Sequence, residues 1–260
     1  MLMGVIYFIV ILLACILGAI VGLGGGVFIR PIFDAIGYHN VLNISFFSSS
    51  AILTMAIVST IKKLQDGTKI EIKTAALISA GAVVGGMLGN LLLEHLVSAF
   101  AVETHVQYVQ IVATVIVLSL SLFFSAKDNL HYEVQSKTAF CLIAGVCLGS
   151  IAAFLGIGGG PINVPVMMIF FGLPIKTATA YSIVIIFFSH LSRLITMGLT
   201  IGYSYFDLPI LMFVIPAAAI GGLIGAKFSK ILPDATIKIM FMVAISAVIV
   251  LNIVNGLFIL

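Results

Sequence analysis

Charge is what this chain has least of. Only 8% of its 260 residues are charged, against about 25% in an ordinary soluble domain. That excludes a soluble globule and leaves no room for a separate soluble domain. The net charge of +3 sits in short loops, which gives no basic face for nucleic acid. Acidic residues are scarcer still, and none falls in the middle of a long apolar stretch except Asp34, in a short segment. This argues against a carboxylate-lined cation site and against a proton wire of the kind pumps use. The sequence has no phosphate-cradling loop, no cluster with metal-ligand spacing and no nucleophile–base pattern. It therefore reads as no enzyme, with no cofactor and no metal. Its three cysteines, Cys15, Cys141 and Cys147, fall in apolar helices without ligand spacing and read as packing. No basic segment precedes the first apolar run, so that run is expected to be a helix rather than a cleaved signal.

What is present is hydrophobic length. Apolar residues make up 62% of the chain, and they fall in stretches long enough to cross a bilayer. The expected spans are residues 3–21, 41–61, 74–93, 106–126, 138–155, 174–200, 209–226 and 235–259. Two shorter pieces, 27–37 and 161–172, are too short to cross at about 1.5 Å per residue. The expected fold class is an all-α polytopic membrane protein surrounded by membrane lipid.

The chain is organised by a glycine run that occurs twice. Gly22-Leu23-Gly24-Gly25-Gly26 precedes Pro31; Gly156-Ile157-Gly158-Gly159-Gly160 precedes Pro165, 134 residues on. Glycine is costly inside a helix, so each run should open one. Opened backbone at membrane depth survives only against protein or a water-filled cavity. Matched breaks in two halves are the usual mark of a transporter's binding site. Other features repeat as well: Ser48 with Ser182, Ser45 with Thr179, and Gly85, Gly86 and Gly89 with Gly221, Gly222 and Gly225. The expected organisation is a first half over 1–126, a cytoplasmic connecting loop over 127–137 and a second half over 138–260. Each half holds one glycine-broken helical hairpin and three transmembrane helices. If each broken element enters and leaves on one side, every lysine falls on that protein's cytoplasmic face. The halves are then an inverted repeat.

The candidate binding residues follow from this. Opened backbone offers free N–H groups, and the short helices after Gly26 and Gly160 point positive ends at the same region, which favours an anion. Pro161 suits a first helical position. Gly22, Gly24, Gly25, Gly26, Pro31, Gly156, Gly158, Gly159, Gly160 and Pro165 frame the site. Ser48, Ser49, Thr179, Ser182 and Asn163 are its candidate donors, although a hydroxyl in a helix often bonds its own backbone instead. Arg193 is the sharpest single residue, because an arginine inside a span is expensive and suits an oxyanion; the plainer reading is that it snorkels to the interface. Arg30 is weaker, with Asp34 placed to pair with it one turn on. His190 is either a proton carrier or a hydrogen-bonded core histidine. The glycines themselves have a plainer reading too, as close helix packing.

Two copies of G-x-G-G-G-x-x-x-x-P, with GIGGGPINVPVMM and the following FGLPIKTATAYSIV, resemble the TauE/SafE sulfite exporter family. The resemblance covers essentially the whole chain, with Val27 in the first copy where the second has Pro161. It implies a bacterial inner-membrane transporter for sulfite, organosulfonates or related small sulfur-containing or carboxylate anions, driven by a proton or sodium gradient. The residues alone reach only a small anion. The alternatives are an anion channel or carboxylate transporter on the same fold, or a membrane scaffold that transports nothing. Exact anion, direction and oligomeric state are not readable.

Overall fold

The computed structural model describes residues 2–68, 70–100, 103–126 and 138–259. The expected connecting loop at 127–137 lies outside them, with Lys127 and Lys137; so does Lys69. The described residues form ten α-helices: α1 (Leu2–Val21), α2 (Gly26–Ile36), α3 (Val41–Gln65), α4 (Ile72–Ala99), α5 (Glu103–Ala126), α6 (Thr138–Leu155), α7 (Gly160–Phe171), α8 (Ile175–Thr200), α9 (Leu211–Ile231) and α10 (Asp234–Ile259). All but α2 and α7 are long and apolar enough to cross a membrane. Large apolar side chains face outward all round, among them Leu13 on α1, Leu88 on α4, Met212 on α9 and Val243 on α10. Such a surface is stable only against lipid. This is a multi-pass membrane protein.

Both glycine runs break their helices as their composition requires. Gly22, Gly24 and Gly25 take φ of 75°, 85° and 67°; Gly156, Gly158 and Gly159 take 66°, 88° and 66°. Residues with a Cβ avoid that region, so the three-glycine pattern is a steric necessity in both copies. After each break the chain folds back on itself. The Gly25 N-cap packs against Ala14 and Cys15 of α1, and the Tyr7 and Phe33 rings stack at 3.9 Å. At the second break Phe140 of α6 meets Phe170 of α7 at 5.5 Å. Each pair is thus a lopsided hairpin, its limbs 20 and 11 residues long in the first and 18 and 12 in the second.

The hairpins open towards opposite ends of the bundle. Beside the mouth of the first lie the turn at His39 and Asn40 and the 201–210 connection: His39 Nε2 is 3.5 Å from Asp207 Oδ2, and Asn40 donates to Tyr205 Oη at 2.9 Å. Thr200 donates to Glu94 Oε1 at 2.8 Å, which brings the end of α4 to the same level. Beside the mouth of the second lie the end of α3 and the α9–α10 turn. There Lys230 reaches Asp66 at 2.9 Å, and Lys176 reaches Asp234 at 3.7 Å. The described lysines gather at this end; the first end carries none.

Small residues let the helices close. A methyl group at Gly85 or Gly89 would overlap the Val146 or Ser150 carbonyl of α6. At the corresponding places on α9, a methyl on Gly221 would lie 2.8 Å from Leu12 O of α1, and one on Gly225 would overlap Ile16 O. Gly86 and Gly222 approach Ser189 O and Met55 O in the same paired way. Helix α1 therefore packs on α9 as α6 packs on α4, through backbone-to-backbone contact that larger residues would forbid.

Some boundaries differ from expectation. The segment 94–105 is mostly helix: α4 runs on to Ala99 and α5 begins at Glu103. Glu94 is drawn into α4 by the bond that Asn90 donates to it one turn earlier. Helix α3 extends to Gln65 and α9 to Ile231, so Lys62, Lys63, Lys227 and Lys230 are helical rather than in loops. Cationic side chains suit a helix C-terminus, and Lys62 and Lys63 occupy the last turn of α3.

Replacing Gly85 by Leu should wedge α4 from α6 and lower the melting temperature in detergent by several degrees, at a cost of about 1–3 kcal/mol. Gly256→Ala, whose added methyl would meet only Ile111 at 3.4 Å, should raise it slightly, since alanine is the better helix former by about 1 kcal/mol. Thermal unfolding of the two variants side by side checks both signs.

Candidate functional site

The two glycine loops meet. A methyl on Gly24 would stand 3.3 Å from Gly158 O, one on Gly26 would stand 3.0 Å from Gly156 O, and one on Gly160 would overlap Gly22 O and Leu23. The contact is backbone on backbone at the centre of the bundle. In this structure the loops close on each other.

Each loop is fixed by a serine from the other half. Ser48 of α3 donates to Gly156 O at 3.0 Å; Ser182 of α8 donates to Gly22 O at 2.7 Å. These hydroxyls satisfy carbonyls that the broken helices leave orphaned. Their donor hydrogens are committed to the loops, and only their lone pairs remain for anything else. Thr179 packs against Gly22 and accepts from Lys63 Nζ at 3.0 Å.

The charged part of the site surrounds Gly156. A methyl there would stand 2.8 Å from Arg30 Nη1 and 3.3 Å from Arg193 Nη1, so the two guanidinium groups converge on one point. Arg30 is held on every side. Its Nε bonds Asp34 at 3.3 Å, Nη1 bonds Ser45 Oγ at 2.7 Å and Nη2 bonds Gln110 Oε1. Gln110 in turn donates to Phe154 O at 2.7 Å, which ties α2 and α5 to the second hairpin. Arg193 is different. It is fully buried, its Nε reaches Asn90 Oδ1 at 3.4 Å, and both terminal nitrogens lack a partner. It does not snorkel.

The other expected residues divide. Asn163 is fully buried beside Gly159, with neither amide atom bonded; Ser49 Oγ and both ring nitrogens of His190, one turn from Arg193, are likewise buried and unpartnered. Pro31 lies inside α2, its carbonyl capped by Asn255 at 2.7 Å. Pro165 faces an apolar groove with Val117, Leu120 and Phe124, away from the arginines. Sequence reasoning missed Gln110 and Asn90, each an isolated amide in an apolar helix, which was the available signal. It also missed Lys63, hidden by placing the end of α3 too early.

The profile of the family described as "Sulfite exporter TauE/SafE" matches residues 7–251. The chain belongs to this family. It is 25% identical over 254 residues to "Probable membrane transporter protein YunE" of Bacillus subtilis, covering 87% of this chain and 88% of that one. It is 22% identical over 236 residues to "Probable membrane transporter protein YdhB" of the same organism, covering 90% and 93%. A third relative, "Sulfite exporter TauE/SafE family protein 5" of Arabidopsis thaliana, is 26% identical over 121 residues, 46% of this chain and 27% of that one. With its eight spans, the chain is a TauE/SafE membrane transporter, and it is not an enzyme.

The paired serines give a direct test. Ser48→Ala and Ser182→Ala each leave a buried carbonyl unsatisfied, at a cost of about 1–3 kcal/mol. Because the two loops touch, the double variant should depart from the sum of the singles by about 0.5 kcal/mol or more. Denaturation in mixed micelles, read for all four proteins, measures the coupling.

Proposed function

We propose that this protein is a secondary transporter of a small oxyanion of the sulfite or organosulfonate kind. One observation carries the reading: Arg193 is buried with two unpaired guanidinium nitrogens aimed at the point that Arg30 also approaches. An uncompensated buried charge costs several kcal/mol. Asp34 is already engaged by Arg30, and Glu94 accepts a hydrogen bond from Asn90. An oxyanion bound to the free fork of Arg193 would supply the missing charge in bidentate geometry.

The glycine loop shapes this site without contacting the ligand through side chains. Gly156 lets the loop approach both arginines closely, because a Cβ there would stand 2.8 Å from Arg30 Nη1. In this reading Ser48 and Ser182 position the loops, and Arg193, with Arg30 behind it, binds the anion. The paired helix packings and the oppositely opening hairpins support an inverted repeat of 1–126 and 138–260. The lysine-rich end is cytoplasmic in a bacterial inner membrane by the charge bias of short loops. Access alternates as one half moves against the other across the glycine contact. A proton or sodium gradient drives the cycle, and His190, beside Arg193, is the group on which a proton would travel.

Uptake of labelled sulfite into proteoliposomes tests this. Wild-type uptake should saturate, respond to an imposed gradient and yield to competing oxyanions. Arg193→Gln should weaken apparent affinity roughly 10- to 100-fold, the value of a charge-assisted hydrogen bond of about 1.5–3 kcal/mol, with an unchanged elution profile and helical content. Equal uptake by the variant would remove Arg193 from the site. No uptake of any oxyanion by the wild type would overturn the function.

A further inference from the structure

A second cationic site lies at the opposite end of the glycine contact. The last turn of α3 places Lys63 inward, only 6% exposed, with its Nζ donating to Thr179 Oγ1 at 3.0 Å. Thr179 packs directly on Gly22. This repeats the other site in outline. There Arg30 donates to Ser45, the residue 134 positions before Thr179, beside Gly156. Each glycine loop thus has, at its first glycine, one member of a buried cation–hydroxyl pair: Thr179 at Gly22 and Arg30 at Gly156. The cations come from unrelated positions: Arg30 is on α2, and Lys63 is near the end of α3.

Lys63 also faces an opening. A cavity of about 120 Å³ lies between the ends of α3, α8 and α9, lined by Lys63, Asp66, Thr68, Lys176, Ser229 and Lys230. It is large enough for one small oxyanion with water, since a water takes about 30 Å³. The amines of Lys63, Lys176 and Lys230 line it with the carboxylate of Asp66, and Lys176 also reaches Asp234 at 3.7 Å. The Asp66 carboxylate is already engaged, for it accepts from Lys230 at 2.9 Å and from Lys62 at 3.3 Å. The Lys230 hydrogen bond, and then that of Lys62, hold the Asp66 carboxyl below the usual carboxylate range. Asp66 is therefore ionised at neutral pH, and the lining is still net positive. An ammonium has three N–H donors. Thr179 takes one from Lys63, which leaves further donors on a nearly buried amine.

We propose that this lysine pocket is a second oxyanion site, which takes the same class of anion as the arginine site from the lysine-rich side of the membrane. It rests on the oxyanion reading above. The two sites stand on either side of the closed glycine contact, and passage of the anion is a transfer between Lys63, near Gly22, and Arg193, beside Gly156.

Titration of sulfite into protein purified in neutral, phosphate-free detergent counts the sites. Wild type should bind two per chain, and Lys63→Met and Arg193→Gln should each bind one. Methionine is the residue 134 positions on, Met197, so the side chain is already accommodated at the matching place in α8. Lys230→Gln changes a largely exposed group and leaves the core intact; it should weaken the second site about threefold. Two sites retained in Lys63→Met, with wild-type affinities in Lys230→Gln, would overturn the proposal. A single site lost in Arg193→Gln alone would overturn it while leaving the transport reading standing. A single site lost in Lys63→Met alone would overturn both the Arg193 assignment and the two-site path.

Discussion

The structure depends on bare backbone meeting bare backbone inside the membrane. Two helices are interrupted where no water is available to satisfy their peptide groups. Only another peptide loop and a few hydroxyls can do so without adding bulk. That requirement explains why the contacting positions are glycine on both sides, and why the serines that bond the loops come from the opposite half. Neither loop is complete by itself. The carbonyl of Gly22 needs Ser182, and that of Gly156 needs Ser48. Folding of either hairpin is thus coupled to docking of the other half, since an isolated half would expose an orphaned carbonyl to hydrocarbon.

Charge imposes the second constraint, and the two loops meet it differently. Arg30 is fully partnered, through Asp34, Ser45 and Gln110. Its role is to be rigid. Arg193, one short distance away, is held only through its Nε. On the oxyanion reading proposed above, a rigid cation beside an unsatisfied one makes a preorganised anion site, because the protein has met the desolvation cost in advance. Were both arginines fully paired, they would be structural. Were both free, the bundle would carry two unbalanced charges in its centre.

The fold was largely legible in the sequence because the bilayer makes hydrophobic length a direct reading of structure. The glycine runs were legible for a steric reason: three in succession have no stable place in a helix. Helix ends were less so. Lys62 and Lys63 look like loop residues by composition, yet α3 carries them in its last turn, where its dipole favours them. The site was half legible. Arg193 stood out because a buried arginine is expensive, and Ser48 and Ser182 stood out because they repeat. Their partners did not. Nothing in a linear pattern says that Ser48 spends its hydrogen on Gly156, or that Gln110 crosses to Arg30 and Phe154. Those pairings join residues more than 40 positions apart, and only the packing of the hairpins decides them.

The surroundings of the two glycine runs are alike in backbone contacts and unlike in charge. Matched glycines, serines and helix contacts make the two loops near equivalents. The cations break that equivalence: a guanidinium pair attends Gly156, and an ammonium attends Gly22. A planar guanidinium binds an oxyanion by two parallel bonds and is weakly hydrated, whereas an ammonium is a strongly hydrated point charge. The arginine site should therefore hold a dehydrated anion in one orientation, and the lysine site a partly hydrated anion in several. In the proposed cycle the two ends of the path would differ in affinity even though the halves exchange places. A transporter built from identical halves has no preferred side. The proposed path departs from that equivalence where one kind of cation replaces another.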